Sequence, residues 1–450
     1  MNRSIVLGLT VALALPLSGA AGQMSPGARS VAMGGGGMVF ANGVDAVEWN
    51  PANLGWHTGW NVSVMEVGVA TLASGATVDE VLAIFGSDAL GAAEVNVSQA
   101  IAGLPAGGIR FSAVSEGFVT SRGLGAADLP QPGSPLPSIG IAVGPVSFRV
   151  RSRVFTEATL SPELADLIGN GYDAANLQNY AVGNSFWRSA SFSEMTASYG
   201  ATIGSLFSLG VGLRYVNGHD LVDGRLFEPQ VDLLNETLSI QSVAVEATSG
   251  SGFGVDVGIA MDLPEGLRVS ASGSNVIQRM TWDDALIAHS ATYTDADFDG
   301  ASSLEFVDLV NRFEGQLLDA GSASLAVFEA ASDLFEQSYF PQVFRAGVGW
   351  RRGGTTIEMA GIAVGPRGRF TSDWDERFSL GIEQKIPVLT LRLGMARGQD
   401  GLGQFTAGIA LEMGPVVLES SAGSLSSDDP LLSAQGAHVT LGLQIIGGGS

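Results

Sequence analysis

Residues Phe253–Asp262 read FGVDVGIAMD and alternate strictly between apolar side chains and small or acidic ones. Successive side chains of a β-strand point to opposite faces, so this stretch predicts a strand with one wholly apolar face. The same alternation recurs in six further segments of seven to nine residues, at 209–215, 344–350, 378–385, 389–396, 405–413 and 439–445. The pattern predicts a chain built from many short strands, and residues 138–157 are predicted as one continuous strand.

Composition indicates which solvent the apolar face meets. The chain has 450 residues, of which 46% are hydrophobic and only 15% charged, and 62 are glycine. Because the alternate positions carry mostly Gly, Ala, Ser and Thr, they do not resemble the charged face of a soluble sheet. We therefore predict an all-β fold, a transmembrane antiparallel β-barrel of about 14 strands, with 16 as the alternative. Glycines on the inner face would let the contents of the lumen approach closely.

Charge and cysteine content exclude several function classes. The formal net charge is −23, Lys385 is the only lysine, and there is no cysteine. A nucleic-acid partner is excluded because phosphate contacts require a dense basic face. The absence of cysteine excludes disulfides, thiolate metal sites and a cysteine nucleophile. Since neither barrel face has much room for charge, we expect the excess negative charge in the loops and in an N-terminal plug.

Several segments fall outside the strand pattern. Residues 1–22 have a charged start, a short apolar run and small residues at the end, which predicts a cleaved signal peptide and export from the cytoplasm. Residues 303–338 place apolar side chains at helical spacing, which predicts a helical insertion. The predicted organisation is a hatch or plug at 23–56, a barrel at 57–446, acidic loops at 281–302 and 425–436, and a flexible tail at 447–450.

Aromatic side chains lie near many of the predicted strand ends. Interfacial girdles place Trp and Tyr at such positions, although packing in a core is an alternative for any one of them. The residues concerned are Trp60, Trp187, Trp282, Trp350, Trp374, Tyr199 and Tyr215.

The N-terminal region carries two motifs, GARSVAMGG at 27–35 and WNPANL at 49–54. Together they resemble the start of FadL-type outer-membrane transport barrels, in which a glycine-rich segment and an Asn-Pro-Ala motif form part of an internal hatch. Later stretches, among them 213–218 and 339–350, resemble more closely a family of uncharacterised outer-membrane barrels related to these transporters. The resemblance implies hatch roles for Asn50, Pro51 and Ala52. Position 53 departs from the pattern, because it is Asn where the transporters usually have Gly.

Arg149, Arg151 and Arg153 alternate with uncharged residues, so one strand would direct three guanidinium groups into the lumen. Such a ladder could bind the carboxylate or phosphate head of a cargo molecule. The alternative is that lumen acids neutralise it, because buried charges are expected to be paired. The acids considered for this role are Asp256, Asp262, Glu358 and Glu383.

A D-x-D-x-D-G pattern at 295–300 is typical of the start of a calcium loop. Its predicted ligands are Asp295, Asp297, Asp299 and Glu305. The twelfth position of the loop is Phe306, so the carboxylate of Glu305 comes one place early. The alternative is an acidic, solvated loop. A further alternative is an acidic extracellular loop that holds divalent ions shared with lipopolysaccharide. No other cofactor is predicted.

These observations predict a passive channel in the outer membrane of a Gram-negative-type bacterium that takes up small hydrophobic or amphipathic compounds. Its expected partners are outer-membrane lipid and lipopolysaccharide, a small hydrophobic ligand and the barrel-assembly machinery. The alternative is a structural or docking barrel of a secretion or surface-attachment system. An enzyme is not predicted, since the four histidines form no recognisable metal or triad motif.

Overall fold

The computed structural model describes residues 27–74, 109–116, 137–164, 167, 182–226, 230–232, 237–247, 249–282, 287–294, 314–317, 342–365, 377–398, 403–426 and 436–447. The signal peptide predicted at 1–22 and the calcium ligands Asp295, Asp297, Asp299 and Glu305 lie outside these ranges. Among the described helices, none is long and apolar enough to cross a bilayer.

The described strands form one closed antiparallel barrel of fourteen strands, some of which consist of two consecutive segments. The first seven are β1 (Trp60–Ser74), β2 (Ile109–Glu116 continued by Ser138–Val143), β3 (Val146–Leu160), β4 (Phe186–Ile203), β5 (Phe207–Leu226), β6 (Thr237–Ala247 continued by Gly250–Asp262) and β7 (Leu267–Trp282 continued by Ile287–Thr294). The others are β8 (Glu314–Leu317 continued by Val343–Arg352), β9 (Thr355–Val364), β10 (Arg377–Ile386), β11 (Leu389–Gly398), β12 (Gly403–Met413), β13 (Val416–Ser426) and β14 (Gly436–Gly447). A three-residue strand, Gln230–Asp232, pairs with the start of β6.

Closure comes from β1, which pairs antiparallel with β2 on one side and β14 on the other. The prediction of a barrel with about 14 strands is therefore confirmed. The six connections at one end of the barrel, which we call the short-turn end, are tight turns of two to four residues. The chain also enters β1 and leaves β14 at that end. The connections at the opposite end span nine or more residues, apart from the one between β11 and β12 at 399–402, which spans four.

The predicted phase of the strands is confirmed. In β6, Phe253 and Ile259 are 49% and 47% exposed on the outer face, whereas Asp256 on the inner face is 1% exposed. The large hydrophobic side chains of the other strands are exposed in the same way, among them Tyr199, Leu213 and Met395. The barrel wall therefore presents an apolar surface to its surroundings and a polar, small-residue surface to the lumen.

Some sequence-based boundaries were wrong. The candidate strand at 138–157 is divided by a turn at Gly144, whose φ of +51° suits glycine. Within the predicted helical insertion at 303–338, the four described residues Glu314–Leu317 form a strand, because they extend β8 and pair with β7. Within the predicted loop at 281–302, Ile287–Thr294 likewise forms a strand. Trp282 is buried inside the barrel rather than exposed in a girdle.

The charge distribution matches the expectation for the loops. The described residues contain 17 of the 22 basic side chains but only 19 of the 45 acidic ones. The barrel wall and the N-terminal segment are therefore almost neutral together. Most of the excess negative charge lies in the connecting segments.

Residues 27–56 precede β1 and form a compact segment that we call the hatch. It contains helix α1 (Ala28–Ala32), a 3-10 turn (Gly43–Asp45), helix α2 (Ala46–Trp49) and a 3-10 helix (Pro51–Trp56). The last element begins where the Asn50 side chain accepts a hydrogen bond from the Ala52 amide and Pro51 occupies its first position. Nearly all hatch residues are buried, so the segment packs within the barrel.

Candidate transport site in the lumen

The hatch rests on glycines of the inner wall. A Cβ atom added at Gly200, Gly210 or Gly258 would collide with the hatch at Asn50, Pro51 or the residues that follow. The prediction that inner-face glycines admit close approach is confirmed at these positions. The sequence therefore uses glycine on β4, β5 and β6 to bring hatch backbone against the wall.

The Asn-Pro-Ala motif makes the hydrogen bonds at this contact. Asn50 is fully buried, and its Nδ2 donates to the carbonyl oxygens of Ile259 and Ala271 at 3.1 and 3.2 Å. The Ser208 hydroxyl donates to the Ala52 carbonyl oxygen at 2.5 Å. One short motif thus joins the hatch to strands β5, β6 and β7.

The hatch contacts all fourteen strands, and its two halves lie mainly against opposite sides of the barrel. The half at 42–56 contacts β1 to β7. The contacting pairs, in strand order, are Val44 with Asn61, Val44 with Gly140, Glu48 with Arg151, Pro51 with Gly200, Ala52 with Ser208, Asn50 with Ile259, and Asn50 with Ala271. The half at 27–41 contacts β8 to β14. The contacting residue pairs are Val39 with Gly347, Val39 with Glu358, Met33 with Gly381 and Gly34 with Gly394, and helix α1 contacts β12, β13 and β14. The hatch therefore extends across the whole lumen.

The arginine ladder of β3 points into the lumen, and each member pairs with two carboxylates. Arg149 contacts Glu66 at 2.6 Å and Glu116 at 3.4 Å. Arg151 pairs with Glu48 and Glu194, and Arg153 contacts Glu48 at 3.2 Å and Glu116 at 3.6 Å. Arg214 of β5 extends the array to Asp256 at 2.8 Å. We call these nine residues the charged layer.

The lumen acids that the sequence suggested as partners of the ladder pair elsewhere. Asp256 binds Arg214 and Asp262 binds Arg268, while Glu358 and Glu383 bind Arg29 of the hatch. The expectation that lumen acids neutralise the ladder was right in kind and wrong in its named partners. Alternation along a strand shows which face a charge occupies, but not which neighbouring strand supplies its partner.

Glu48 is the one hatch residue in the charged layer. Burial alone would raise the pKa of the Glu48 carboxyl, but Arg151 and Arg153 outweigh burial and hold that pKa well below its ordinary value. Glu48 is therefore ionised at any physiological pH. Its ion pairs join the half at 42–56 to β3.

Arg29 makes the equivalent connection on the opposite wall. It contacts Glu358 of β9 at 2.7 Å and Glu383 of β10 at 3.0 Å, and it donates to the Gly37 carbonyl oxygen at 2.9 Å. Although burial alone would lower the pKa of Arg29, the two carboxylates raise it. Because β3 and β10 are seven positions apart in a ring of fourteen, the two hatch charges bind opposite sides of the barrel.

Phe40 adds an aromatic contact near the short-turn end. The guanidinium of Arg351 lies 4.1 Å from the centre of the Phe40 ring, and that of Arg268 lies 5.0 Å from it. Arg268 also lies 4.3 Å from the Trp56 ring. These contacts favour the docked hatch through cation–π attraction.

An apolar cluster lies beyond the charged layer, on the side away from the short-turn end. It consists of the inner-face residues Phe155, Phe192, Val216, Met280 and Trp282, which we call the apolar layer. On β3 and β5 each member follows a charged-layer arginine by two residues, and on β4 Phe192 precedes Glu194 by two. The Trp282 ring packs over Gly218 and Gly250. A molecule entering from the far end would meet this layer before the charged one.

One cavity lies on the outer face, where β2 is interrupted. It has a volume of about 350 Å³, is lined by Val62, Ser63, Val64, Ile139, Gly140, Ile141 and Phe148, and is almost wholly apolar. β1 has an irregular register between Ser63 and Met65 beside it. Since Ile139, Ile141 and Phe148 are among the exposed side chains of the wall, the cavity opens towards the surrounding solvent.

The structure places no metal cluster among the residues it describes. It does bring together one pair with enzymatic potential that sequence spacing could not reveal, because the Ser193 Oγ lies 2.7 Å from the His219 Nε2. Within the described ranges, no carboxylate or amide bonds the second ring nitrogen of His219. The pair therefore lacks the third group that would orient a general base.

Several solved structures are similar to this chain. No family model and no curated protein matches the chain. Among solved structures, the toluene transporter TbuX of Ralstonia pickettii is 13% identical, with a TM-score of 0.49 over 93% of this chain and 97% of that one. The toluene transporter TodX of Pseudomonas putida is also 13% identical, with a TM-score of 0.49 over 94% and 99% of the two chains.

A third similar structure is the monoaromatic hydrocarbon channel CymD, which is 11% identical, with a TM-score of 0.46 over 95% of this chain and 98% of that one. These similarities extend over nearly the whole chain. At this identity and TM-score, the resemblance does not identify a cargo.

Several residues of the site were missed by sequence reasoning. Glu66, Glu116 and Glu194 lie on strands, and their inward phase was readable once each strand was recognised. Glu48 and Arg29 lie in the hatch, where no periodicity indicates direction. Only the fold brings these two charges against opposite walls.

Proposed function

We propose that the protein is an outer-membrane channel for the passive uptake of small hydrophobic or amphipathic compounds, closed in this structure by its hatch. The observation that carries the proposal is a hatch in contact with all fourteen strands. The hatch lies inside the lumen, on the short-turn side of the apolar layer. An open diffusion pore has no need of such a segment. A purely structural barrel has no need of a buried apolar lining that faces its lumen.

The orientation follows from the lengths of the connections. Barrels of the bacterial outer membrane have short periplasmic turns and longer extracellular loops. The hatch then lies at the periplasmic side, and a compound arriving from outside meets the apolar layer first. Signal-peptide cleavage after residue 22 is part of this proposal.

Asn50, Pro51 and Ala52 act as hatch anchors in this account, since their hydrogen bonds connect it to β5, β6 and β7. The proposal that Arg149, Arg151 and Arg153 contact cargo stays a prediction. Their two carboxylate partners each, and exposures of 2–5%, favour a structural role in the charged layer. Replacing a member of the ladder by glutamine tests the cargo role, because a ligand contact requires weaker binding of anionic amphiphiles.

Liposome swelling with purified protein tests the channel. We expect slow uptake of small amphipathic solutes by the full chain and fast uptake by a variant that lacks residues 24–56. If no solute enters with either protein, the channel proposal fails. The acidic connecting segments would then support the docking barrel of a surface system.

A generic ester assay completes the comparison of functions. The proposal predicts no hydrolysis beyond that of a Ser193→Ala, His219→Gln double variant. Hydrolysis that depends on these two residues would instead establish an enzymatic function.

A further inference from the structure

The outer-face cavity beside the interruption of β2 lies close to the short-turn end of the wall. Its volume of about 350 Å³ is at the lower end of the range for ligand pockets. Among its lining residues, Ile141 and Phe148 lie two residues from the turn end of their strands, and Val64 and Ile139 lie four residues from it. Because a strand rises about 3.3 Å per residue, the cavity occupies at most the first ~13 Å of the wall above that end. This is the half of the apolar band, about 25 Å tall in such barrels, that lies nearest the short turns.

Two irregularities of the backbone coincide at this cavity. Ser63 of β1 pairs with Gly140 of β2 and Glu66 pairs with Ser138, so β1 has one residue more than β2 over the same interval. Such a bulge bends a strand and changes the direction of its side chains. Just beyond Ser138, β2 is interrupted. The hollow therefore follows from the course of β1 and β2 rather than from a single small side chain.

At this place the wall is thin, and the base of the hatch lies directly behind it. Gly140 lines the cavity, and a Cβ atom added to it would lie 2.5 Å from Cγ1 of Val44 in the hatch. The Val44 amide donates to the Asn61 Oδ1 of β1 at 3.1 Å. A molecule in the cavity would therefore support from outside the part of the wall that residues 42–56 contact from inside.

The lining of the cavity favours a hydrocarbon chain. It is almost wholly apolar and includes no charged side chain. Its rim continues into the exposed apolar wall, where Val64, Ile139 and Ile141 are 40–50% exposed. In the proposed orientation the short-turn end is periplasmic, so the lipids at this depth are the phospholipids of the periplasmic leaflet. Trp60, 41% exposed at the start of β1, lies where an interfacial tryptophan would contact their head groups.

We propose that the cavity binds one acyl chain of a phospholipid of the periplasmic leaflet, and that the bound chain stabilises the wall at the base of the hatch. This inference rests on the proposed membrane location and orientation, but not on the transport of any solute. Contact of the chain with the apolar lining supplies the affinity. Because the cavity exists only in the folded barrel, a lipid bound there stabilises the folded state by mass action.

Native mass spectrometry of the full chain in a mild detergent tests the site, with dipalmitoyl phosphatidylethanolamine as the probe. Ile139→Trp should fill the cavity, so we expect the wild type to retain one lipid molecule more than this variant. The same lipid should raise the Tm of the wild type by about 2 °C or more and leave that of Ile139→Trp unchanged. A dibutanoyl lipid with the same head group should have neither effect, because it lacks the long chain. Leu393→Trp is the matched control, since Leu393 of β11 is 49% exposed on the outer face and lies four residues from the short-turn end, as Ile139 does.

The inference is overturned if Ile139→Trp retains as much lipid as the wild type, if Leu393→Trp loses the lipid equally, or if the dibutanoyl lipid is retained as well as the long-chain one. Retention of lipopolysaccharide in place of phospholipid would also overturn it. Heat-dependent mobility on a denaturing gel shows whether Ile139→Trp is folded, and if it is not, Val64→Phe fills the cavity from β1. Swelling assays separate this failure from that of the channel. Solute uptake without lipid retention refutes the lipid site alone, whereas lipid retention without any uptake refutes the channel alone.

Discussion

The two halves of the hatch contact opposite sides of the barrel wall but are built differently. The half at 42–56 has two side-chain-capped turns, a buried Asn50 and direct continuation into β1. The half at 27–41 has one five-residue helix and a glycine run in which Gly34, Gly35 and Gly37 all adopt positive φ. Its two ion pairs with the wall both come from Arg29. Under the proposed channel function, this difference predicts that 42–56 is a fixed base and that 27–41 is the part that leaves the lumen when it opens.

Removing residues 27–41 should have the largest effect. Because this half supplies nearly all the hatch contacts with β8 to β14, its deletion should raise the liposome swelling rate nearly as much as deletion of 24–56. Swelling no faster than that of the full chain would show that 42–56 closes the lumen by itself, and the division between a fixed and a movable half would be wrong.

Neutralising Arg29 or Glu48, one in each half of the hatch, tests whether the two halves are held with different strength. Arg29→Gln leaves the fully buried side chain of Glu358 without its cation, which costs about 3–5 kcal/mol for a buried pair and should favour the open hatch. Glu48→Gln leaves Arg151 with Glu194 and Arg153 with Glu116, and Asn50 still holds that half.

We therefore expect single-channel recordings to show frequent openings for Arg29→Gln and few for Glu48→Gln. Lys385→Gln is the control, because its pair with Glu412 is exposed and remote from the hatch. Equal opening by the two hatch variants would contradict the proposed asymmetry.

A methyl group at the base of the hatch should have a smaller effect. Gly258→Ala would place a Cβ against the Asn50 side-chain oxygen and displace the hydrogen bonds of that side chain, at a cost of about 1–3 kcal/mol. Gly442→Ala is the matched control, because its Cβ would meet that of Ala28 at an ordinary 3.9 Å. Thermal denaturation should show a lower Tm for Gly258→Ala than for Gly442→Ala, and the reverse order would refute the role of the motif.

Acidification should produce the smallest change. Burial lowers the pKa of His57, whose Nδ1 is hydrogen-bonded to the Asn42 side chain at 2.9 Å. A base whose pKa is lowered by folding favours the folded state above its unfolded pKa of about 6.5, and this stabilisation is lost as the pH falls below that value. The Tm should therefore decline modestly between pH 7 and 5, and less so in His57→Gln. An equal decline in both proteins would rule out His57 as the cause.

The sequence predicted the barrel, its phase and its approximate strand count because a wall with one apolar and one polar face imposes a period of two on every strand. Alternation fails where a strand is interrupted or bulged, which is why 138–157 was taken as one strand and Ile287–Thr294 as loop. Alternation also gives no prediction for the hatch, because the contacts of that segment depend on which inner-face glycines of the wall lie against it. The motif at Asn50 was found through resemblance, whereas the partners of Arg29 and Glu48 required the fold.

A disulfide between the hatch and β14 tests the central claim most directly. The chain has no cysteine of its own, and the Cβ atoms of residues 28 and 442 would lie 3.9 Å apart, within the range that a disulfide requires. In the Ala28→Cys, Gly442→Cys variant, the account predicts no solute uptake when oxidised and wild-type uptake after reduction. Wild-type uptake by the fully oxidised protein would show that solutes pass while residues 27–41 stay docked, and would contradict it.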